Sequence, residues 1–280
     1  MTIVCLGGSS GIIRVIKSLL EVSKEKIVAV VGVHDSGGHT GELRKKYKIP
    51  AVGDIREIIG EISGISLFNY KFDGNKKLGN YLLAFLTLEF GLTKATQIIL
   101  KALNMKKLKI FPVSDEATNL FARTIENEII EGEAKIEKCN KIIESIWLSP
   151  QVKASKSVLS EIKKARVIIF CPGSLYSSLL ALLLYKGIKS TIKRSKAKKI
   201  LILNVREDEE THKFSKISEL VQEFERYGFS PDLIIANEKR IDERYFVVDI
   251  FDERVICDDL LSKDGLHSVE KLAKVLKKII

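Results

Sequence analysis

The sequence predicts an α/β fold, a mostly parallel sheet between two helical layers, with an inserted helical and β-hairpin region. Three observations predict it. Short apolar runs alternate with one-sided helical periodicity in both the early and the late parts of the chain. The run Ala165–Phe170 reads as a strand covered on both faces. Glycine-bearing loops stand at the strand-to-helix junctions, where a parallel sheet must turn.

Ile3–Leu6 is the first strand. Gly11–Glu21 is the first helix, because Ile12, Ile13, Val15, Ile16, Leu19 and Leu20 share a face opposite Arg14, Lys17 and Glu21. Ile27–Val33 is the second strand, which makes a right-handed βαβ unit. The polar, glycine-rich stretch from His34 reads as a loop that continues to a helix over Ile55–Ile62.

Leu78–Phe90 and Thr93–Leu103 read as helices joined at Gly91. Ala117–Thr124 and Glu128–Ile136 read as strands flanking a turn at Glu126-Asn127. Ile142–Leu148 is a further strand, stopped by Pro150. The alternation then resumes. After Ala165–Phe170 come a buried helix, Leu175–Tyr185, and a basic one, Ile188–Lys196. Next are a strand, Lys199–Leu203, an amphipathic helix, His212–Tyr227, and a strand, Asp232–Ala236. Tyr245–Ile250 and Arg254–Cys257 read as edge strands either side of Asp252-Glu253. Ser268 caps a last helix, Val269–Ile280. This organisation gives one domain over 1–280, with a core of 1–74 and 151–280 and an insertion at about 75–150.

With 280 residues and 45% hydrophobic content, the chain can bury a substantial core. Its longest apolar run, Leu175–Tyr185, is too short to cross a bilayer, and the N-terminus lacks a signal-peptide pattern. A cytoplasmic protein with no membrane partner is expected. Cys5, Cys139, Cys171 and Cys257 are far apart and read as core thiols. The net charge is +10, but its lysines share helices with glutamates and are not interleaved with aromatics. That pattern disfavours nucleic acid and suits an anionic small molecule.

Three loops are candidates for holding that anion. The first is Gly7, Gly8, Ser9, Ser10 and Gly11, which opens the first helix. The second contains His34, Asp35, Ser36, Gly37 and Gly38 and ends at Gly53 and Asp54. The third is Cys171-Pro172-Gly173-Ser174-Leu175-Tyr176, in which Ser174 is expected to cap the helix and leave its amides free. Any one of them could be a plain turn; three at one edge of a sheet point to a nucleotide-sized crevice. The first loop has neither GxxxxGK(S/T) nor GxGxxG spacing.

Asp35 can be a magnesium ligand, a ribose contact or a turn stabiliser, and it is the candidate for both the catalytic and the metal-binding role. Asp54 can bind a ligand or cap its helix. Asn80 sits near the start of an apolar helix and needs a partner if buried. His34 reads more readily as structural than as a titrating group, and His39, His212 and His267 show no metal-ligand spacing.

The segments GGSSG (Gly7–Gly11), DSGGHTGELR (Asp35–Arg44) and IPAVGDIR (Ile49–Arg56) resemble those of the CofD/YvcK-like proteins. So do LGNYLLA (Leu78–Ala84), FPVSDEAT (Phe111–Thr118), EGEAKI (Glu131–Ile136) and PGSLYSSLL (Pro172–Leu180). That family includes gluconeogenesis factors and 2-phospho-L-lactate transferases, and the GDIR and PGSLY segments are similar to the former branch. The resemblance implies a Rossmann-like core, a homodimer and a nucleotide ligand: a UDP-sugar, GDP or NAD. It implies a regulator of carbon metabolism or the cell envelope. The alternative is a magnesium-dependent transferase that moves a phospholactyl-type group from a nucleotide to a deazaflavin. A nicotinamide-dependent oxidoreductase is a third, weaker option. The chain departs from the pattern at Ser9, where a glycine is usual, and at His34, where an acid usually precedes Asp35. It also departs at Asn75-Lys76-Lys77 and at Arg206–Glu210, the latter expected beside the ligand.

Overall fold

The computed structural model describes residues 2–72, 74–250 and 253–280. Strand β1 (Thr2–Leu6) lies inside a seven-stranded sheet and is fully buried from Ile3 onward. Helix α1 (Ser9–Val22) crosses to β2 (Lys26–Val31), which pairs with β1 in parallel. Helices α2 (Gly38–Tyr47) and α3 (Gly53–Ser63) follow, then the two-residue strands β3 (Lys71–Phe72) and β4 (Lys76–Lys77). Helices α4 (Leu78–Phe90) and α5 (Leu92–Ala102) lead to β5 (Leu108–Pro112), which pairs with β2 at one edge of the sheet.

A second, antiparallel sheet of β6 (Asn119–Thr124), β7 (Ile129–Glu131) and β8 (Ile143–Ser149) comes next. The short helix α6 (Glu133–Ile136) interrupts it. Helix α7 (Lys156–Lys164) returns the chain to β9 (Val167–Phe170), on the other side of β1. A π-helical segment, Leu175–Leu180, continues into α8 (Ala181–Leu183) and α9 (Ile188–Arg194). Then come β10 (Lys198–Ile202), α10 (Ile217–Arg226), β11 (Leu233–Asn237) and β12 (Val255–Asp258). Helix α11 (Val269–Ile279) packs along α1.

The main sheet has the order β12-β11-β10-β9-β1-β2-β5 and every pair is parallel. The order reverses at β1: its first connection goes toward β2, and the chain later returns to β9. Ligands of open parallel sheets bind at such a reversal, beyond the carboxyl ends of the strands. The loops after β1 and β9 meet there. A side chain at Gly11 would place its Cβ only 1.8 Å from the Pro172 carbonyl oxygen, so only glycine lets the two backbones approach this closely. Below them, Phe170, Phe224 and Phe229 form a cluster with Phe170 and Phe229 centroids 4.3 Å apart. Burial of each contributes about 1.5–3 kcal/mol.

The structure corrects several sequence expectations. The second loop is short, because residues 38–47 are helical. Helix α2 has little amphipathic pattern and is held by burial of His39, Thr40, Leu43 and Arg44. Strand β5 lies inside the stretch expected to be an insertion, yet it extends the main sheet. Helix α7, capped by the Ser155 side chain, was not expected. Glu128–Ile136 is strand only to Glu131, since Gly132 has φ 100° and turns the chain into α6. Helix α10 begins at Ile217, five residues later than expected. Tyr245–Ile250 is not a strand: it makes an isolated bridge from Val247 to Lys216, and Asp249 accepts from the Ser218 amide and hydroxyl. Asp252 lies outside the described residues. No helix among the described residues is long and apolar enough to cross a membrane.

Candidate functional site

Helix α1 begins at Gly8 with no side-chain cap and no acidic residue in its first turn. Among the described residues its first amides therefore receive no side-chain cap, and they carry the positive end of a fourteen-residue helix. They face a cleft of about 530 Å³, within the range of small-molecule sites. Ser10 and Gly11 form one wall, Gly173 and Ser174 another, and Asn204–Glu209 a third. The Asn204 amide donates to the Gly173 carbonyl at 3.1 Å and fixes the third loop against the strand end. Arg14 and Arg206 supply positive charge; Arg14 is anchored on Asp264 and the His267 carbonyl. Of the segment Arg206–Glu210, the first four residues line the cleft and bring three carboxylates to its wall, while Glu210 is buried away from it. The side chain of Ser9 lies outside the described residues, and Gly7 is buried beneath the loop.

A narrow notch adjoins this cleft, lined by Gly8, His34, Asp35, Asp54, Glu133, Ser177 and Ser178. Asp35 sits in the turn after β2 and accepts from the Gly37 amide at 2.7 Å, so it stabilises the turn while facing the notch. Burial pushes the Asp54 carboxyl up to about 7, and the neighbouring Asp35 and Glu57 charges add to the shift. Glu133 is raised strongly, by burial first and then by Asp35 and Asp54, and its carboxyl is hydrogen-bonded to Asp35. Glu137 is raised by burial and by Asp208 and Asp35. Mutually repelling carboxyls held this closely are the oxygen donors that a hard divalent cation favours. Among the described residues no group of three His, Cys, Asp or Glu side chains is disposed to hold a metal alone. Two carboxylates, completed by phosphate oxygens and water, match magnesium's usual protein site.

His34 borders the notch, but both of its ring nitrogens are engaged within the protein. Its Nε2 donates to the Ser177 carbonyl at 2.7 Å and its Nδ1 accepts from the Tyr185 hydroxyl at 2.9 Å. Burial lowers its pKa, so it is a neutral bridge between the second loop and the segment after β9. Arg44 anchors the same loop from behind. It donates to the carbonyls of His34 and Asp35 at 3.0 and 2.8 Å, and also to the Thr118 carbonyl and the Asn119 side chain.

The third loop departs most from expectation. Ser174 makes no cap hydrogen bond. The Glu210 carboxylate accepts from the Tyr176 amide at 2.6 Å and from the Ser177 amide at 3.1 Å, so these N–H groups are not free. The side chains of Leu175 and Tyr176 point into the core and are buried. Asn80 is also internal: it accepts from Arg56 Nε at 3.2 Å and meets His39 Nδ1 at 3.3 Å, tying α2, α3 and α4 together. Gly53 packs against Thr40 and Asp35, and Gly37 and Gly38 complete the turn into α2. Of the expected residues, the fold gathers Gly8, His34, Asp35 and Asp54 at the notch and Ser10, Gly11, Gly173 and Ser174 at the cleft. Ser36 faces a different cleft, on the far side of its loop.

Glu133, Ser177, Ser178 and Glu210 were not assigned from the sequence. Glu133 follows Gly132, whose positive φ signals a turn rather than a continued strand.

The family model described as 2-phospho-L-lactate transferase CofD matches residues 3–272. A Thermotoga maritima relative is 36% identical over 255 residues, covering 87% of this chain and 81% of its own length. A Halalkalibacterium halodurans protein named Gluconeogenesis factor is 35% identical over 215 residues, covering 72% of this chain and 66% of its own. The crystal structure of protein BH3568 from Bacillus halodurans superimposes with a TM-score of 0.88 at 30% identity, covering 98% of both chains. A second structure of that protein is described as a member of the UPF0052 family.

Proposed function

The chain belongs to the CofD family, and from that premise we propose that it binds a nucleotide or nucleotide-sugar as a regulator of the gluconeogenesis-factor type. The observation that carries the reading is the uncapped N-terminus of α1, opening at the strand-order reversal onto a cleft of nucleotide size. The amides of Ser10 and Gly11 hold a phosphate group. Gly173 and Ser174 bound it from the β9 side, and Arg206 offsets its charge. Asp35 and Asp54 share the notch with Gly8, where a side chain would come within 3.2 Å of Asp54. They would hold magnesium, which when bound screens the phosphates.

Calorimetry with a UDP-sugar, GDP and NAD, each with and without magnesium, tests this reading. Saturable binding of at least one, lost in Gly8→Ala, supports it. Heat from none of them removes it.

A transferase reading is favoured by one specific observation, the carboxyl cluster of Asp35, Asp54 and Glu133 beside the phosphate cleft. In that reading Asp35 orients the reacting end of the donor and excludes water with Glu133. Magnesium-dependent transfer from a nucleotide-activated phospholactate to a deazaflavin would establish it.

A further inference from the structure

The second loop has two faces. One looks into the carboxyl notch; the other forms part of a separate cleft of about 570 Å³, between α2 and the β6–β7 hairpin. Here four cations gather: Arg44, Lys45, Lys48 and Lys135. Among the described residues none of them is in an ion pair, although Lys17, Lys109, Lys141, Lys199 and Lys271 elsewhere each are. Arg44 is 9% exposed, its Nη atoms hold carbonyls and an amide oxygen, and its Nε has no partner. A buried guanidinium outside any ion pair is costly: burial lowers its pKa, and the nearby Asp35 and Glu133 charges offset that only in part. The single carboxylate on the lining, Glu131, accepts from the Asn119 side chain at 3.1 Å. Ile49, Ala117, Ala134 and Pro150 supply apolar wall.

We propose that this cleft is a second ligand site, which takes the phosphate ester of a small metabolite. Lysine ammonium groups are compact point charges suited to phosphate, and here they surround a fixed guanidinium. The apolar wall receives the carbon skeleton. The site is independent of the nucleotide reading, because it shares no lining residue with the cleft at α1. Arg44 also holds the carbonyls of His34 and Asp35, so an anion here pulls on the loop that carries Asp35.

A basic last turn on α2 would by itself attract anions diffusely. Lys46 separates the two ideas: it belongs to that turn, but its ammonium lies 5.0 Å from the Tyr47 ring centroid and does not line the cleft. The intact chain is titrated calorimetrically with glycerol 3-phosphate, inorganic phosphate and citrate. Saturable binding of glycerol 3-phosphate, tighter than citrate, is expected. Lys45→Gln and Lys48→Gln should each weaken it by about fivefold to tenfold, while Lys46→Gln and Gly8→Ala leave it unchanged. Equal weakening by Lys46→Gln shows diffuse attraction and overturns the site. Loss in Gly8→Ala places the phosphate at α1 instead, and citrate binding equally well removes the ester assignment. Absence of saturable heat rejects the proposal outright.

Discussion

The Glu210 carboxylate accepts hydrogen bonds from two successive amides, those of Tyr176 and Ser177, at 2.6 and 3.1 Å. An acidic side chain from the loop after β10 thus occupies the helical start that follows β9. Glu210→Ala leaves two buried amides without acceptors and should cost about 1–3 kcal/mol; Glu210→Gln keeps one acceptor oxygen and should cost less. Denaturant unfolding of both variants checks the order, and equal midpoints for Ala, Gln and the parent would refute the cap.

The stability that Asp54 and Glu210 contribute should fall as pH rises through the weakly acidic range. Burial raises Asp54 from 3.8, and Glu210 from 4.5, to about 7 in each case. The folded chain therefore keeps protons that the unfolded chain has released, and stability is full below the ordinary carboxyl values and lost as pH passes about 7. Buried His34 and His267 are held below the ordinary imidazole value and work in the opposite sense, so the readout is a difference: the parent's urea midpoint should fall relative to that of Asp54→Asn as pH rises between these limits. A cation at Asp35 and Asp54 competes with the same protons, so magnesium affinity should rise over that window. A midpoint that climbs with pH in the parent and not in Asp54→Asn contradicts the shift.

Restoring an acid at position 34 should not create a second metal ligand. His34 donates to the Ser177 carbonyl from a buried position, and an aspartate has no hydrogen to give there when ionised. His34→Asp should lose about 2–4 kcal/mol, through an unpaired buried carboxylate facing an oxygen. Chemical denaturation measures the loss, and an unchanged stability with tighter magnesium binding would reverse the assignment.

The two glycines at the first helix should behave differently. At Gly11 a methyl would overlap the Pro172 carbonyl, which backbone movement must relieve, so Gly11→Ala should destabilise by about 1–3 kcal/mol or more. At Gly8 the nearest atom is Ser178 Oγ at 2.7 Å, the end of a small side chain that can rotate. Gly8→Ala should keep the fold and lose nucleotide affinity. Thermal unfolding and calorimetry on the same samples distinguish the two, and reversed behaviour sinks the close-approach argument.

Helix α4 exposes Leu82, Phe85 and Leu88, with Tyr70 and Phe72 nearby. Tyr81 and Phe85 stack at 6.1 Å between centroids beside this face. An apolar face of this extent suits a second copy of the chain, the homodimer that the family resemblance implies. Phe85→Glu should give a monomer in sedimentation experiments, whereas a monomeric parent removes the assignment.

Much of the fold was readable because burial writes itself into local pattern. Strand β9 and the greater part of β1, β2, β10 and β11 are apolar runs, and α1 and α11 carry one-sided periodicity. Helix α2 was hidden because Gly38, His39, Thr40 and Gly41 give it no stripe; tertiary burial stabilises it. Strand β5 was hidden inside a stretch that resembles an insertion. At the site, Gly8, Ser10, Gly11, Asp35 and Asp54 were legible as turn residues at strand ends. Asn80 and Tyr176 are equally suggestive in sequence but face inward.

By itself the sequence determined the parallel α/β core, the loops at its carboxyl edge and the family. Each of these follows from residues close together along the chain. Only the tertiary structure decided which amides stay open, and the reason is distance. Glu210 reaches amides 33 and 34 residues earlier, Arg44 reaches Thr118 across 74, and His34 reaches Ser177 across 143. Those long-range hydrogen bonds close the third loop, bury the histidine and leave the start of α1 facing solvent with its polarity unspent.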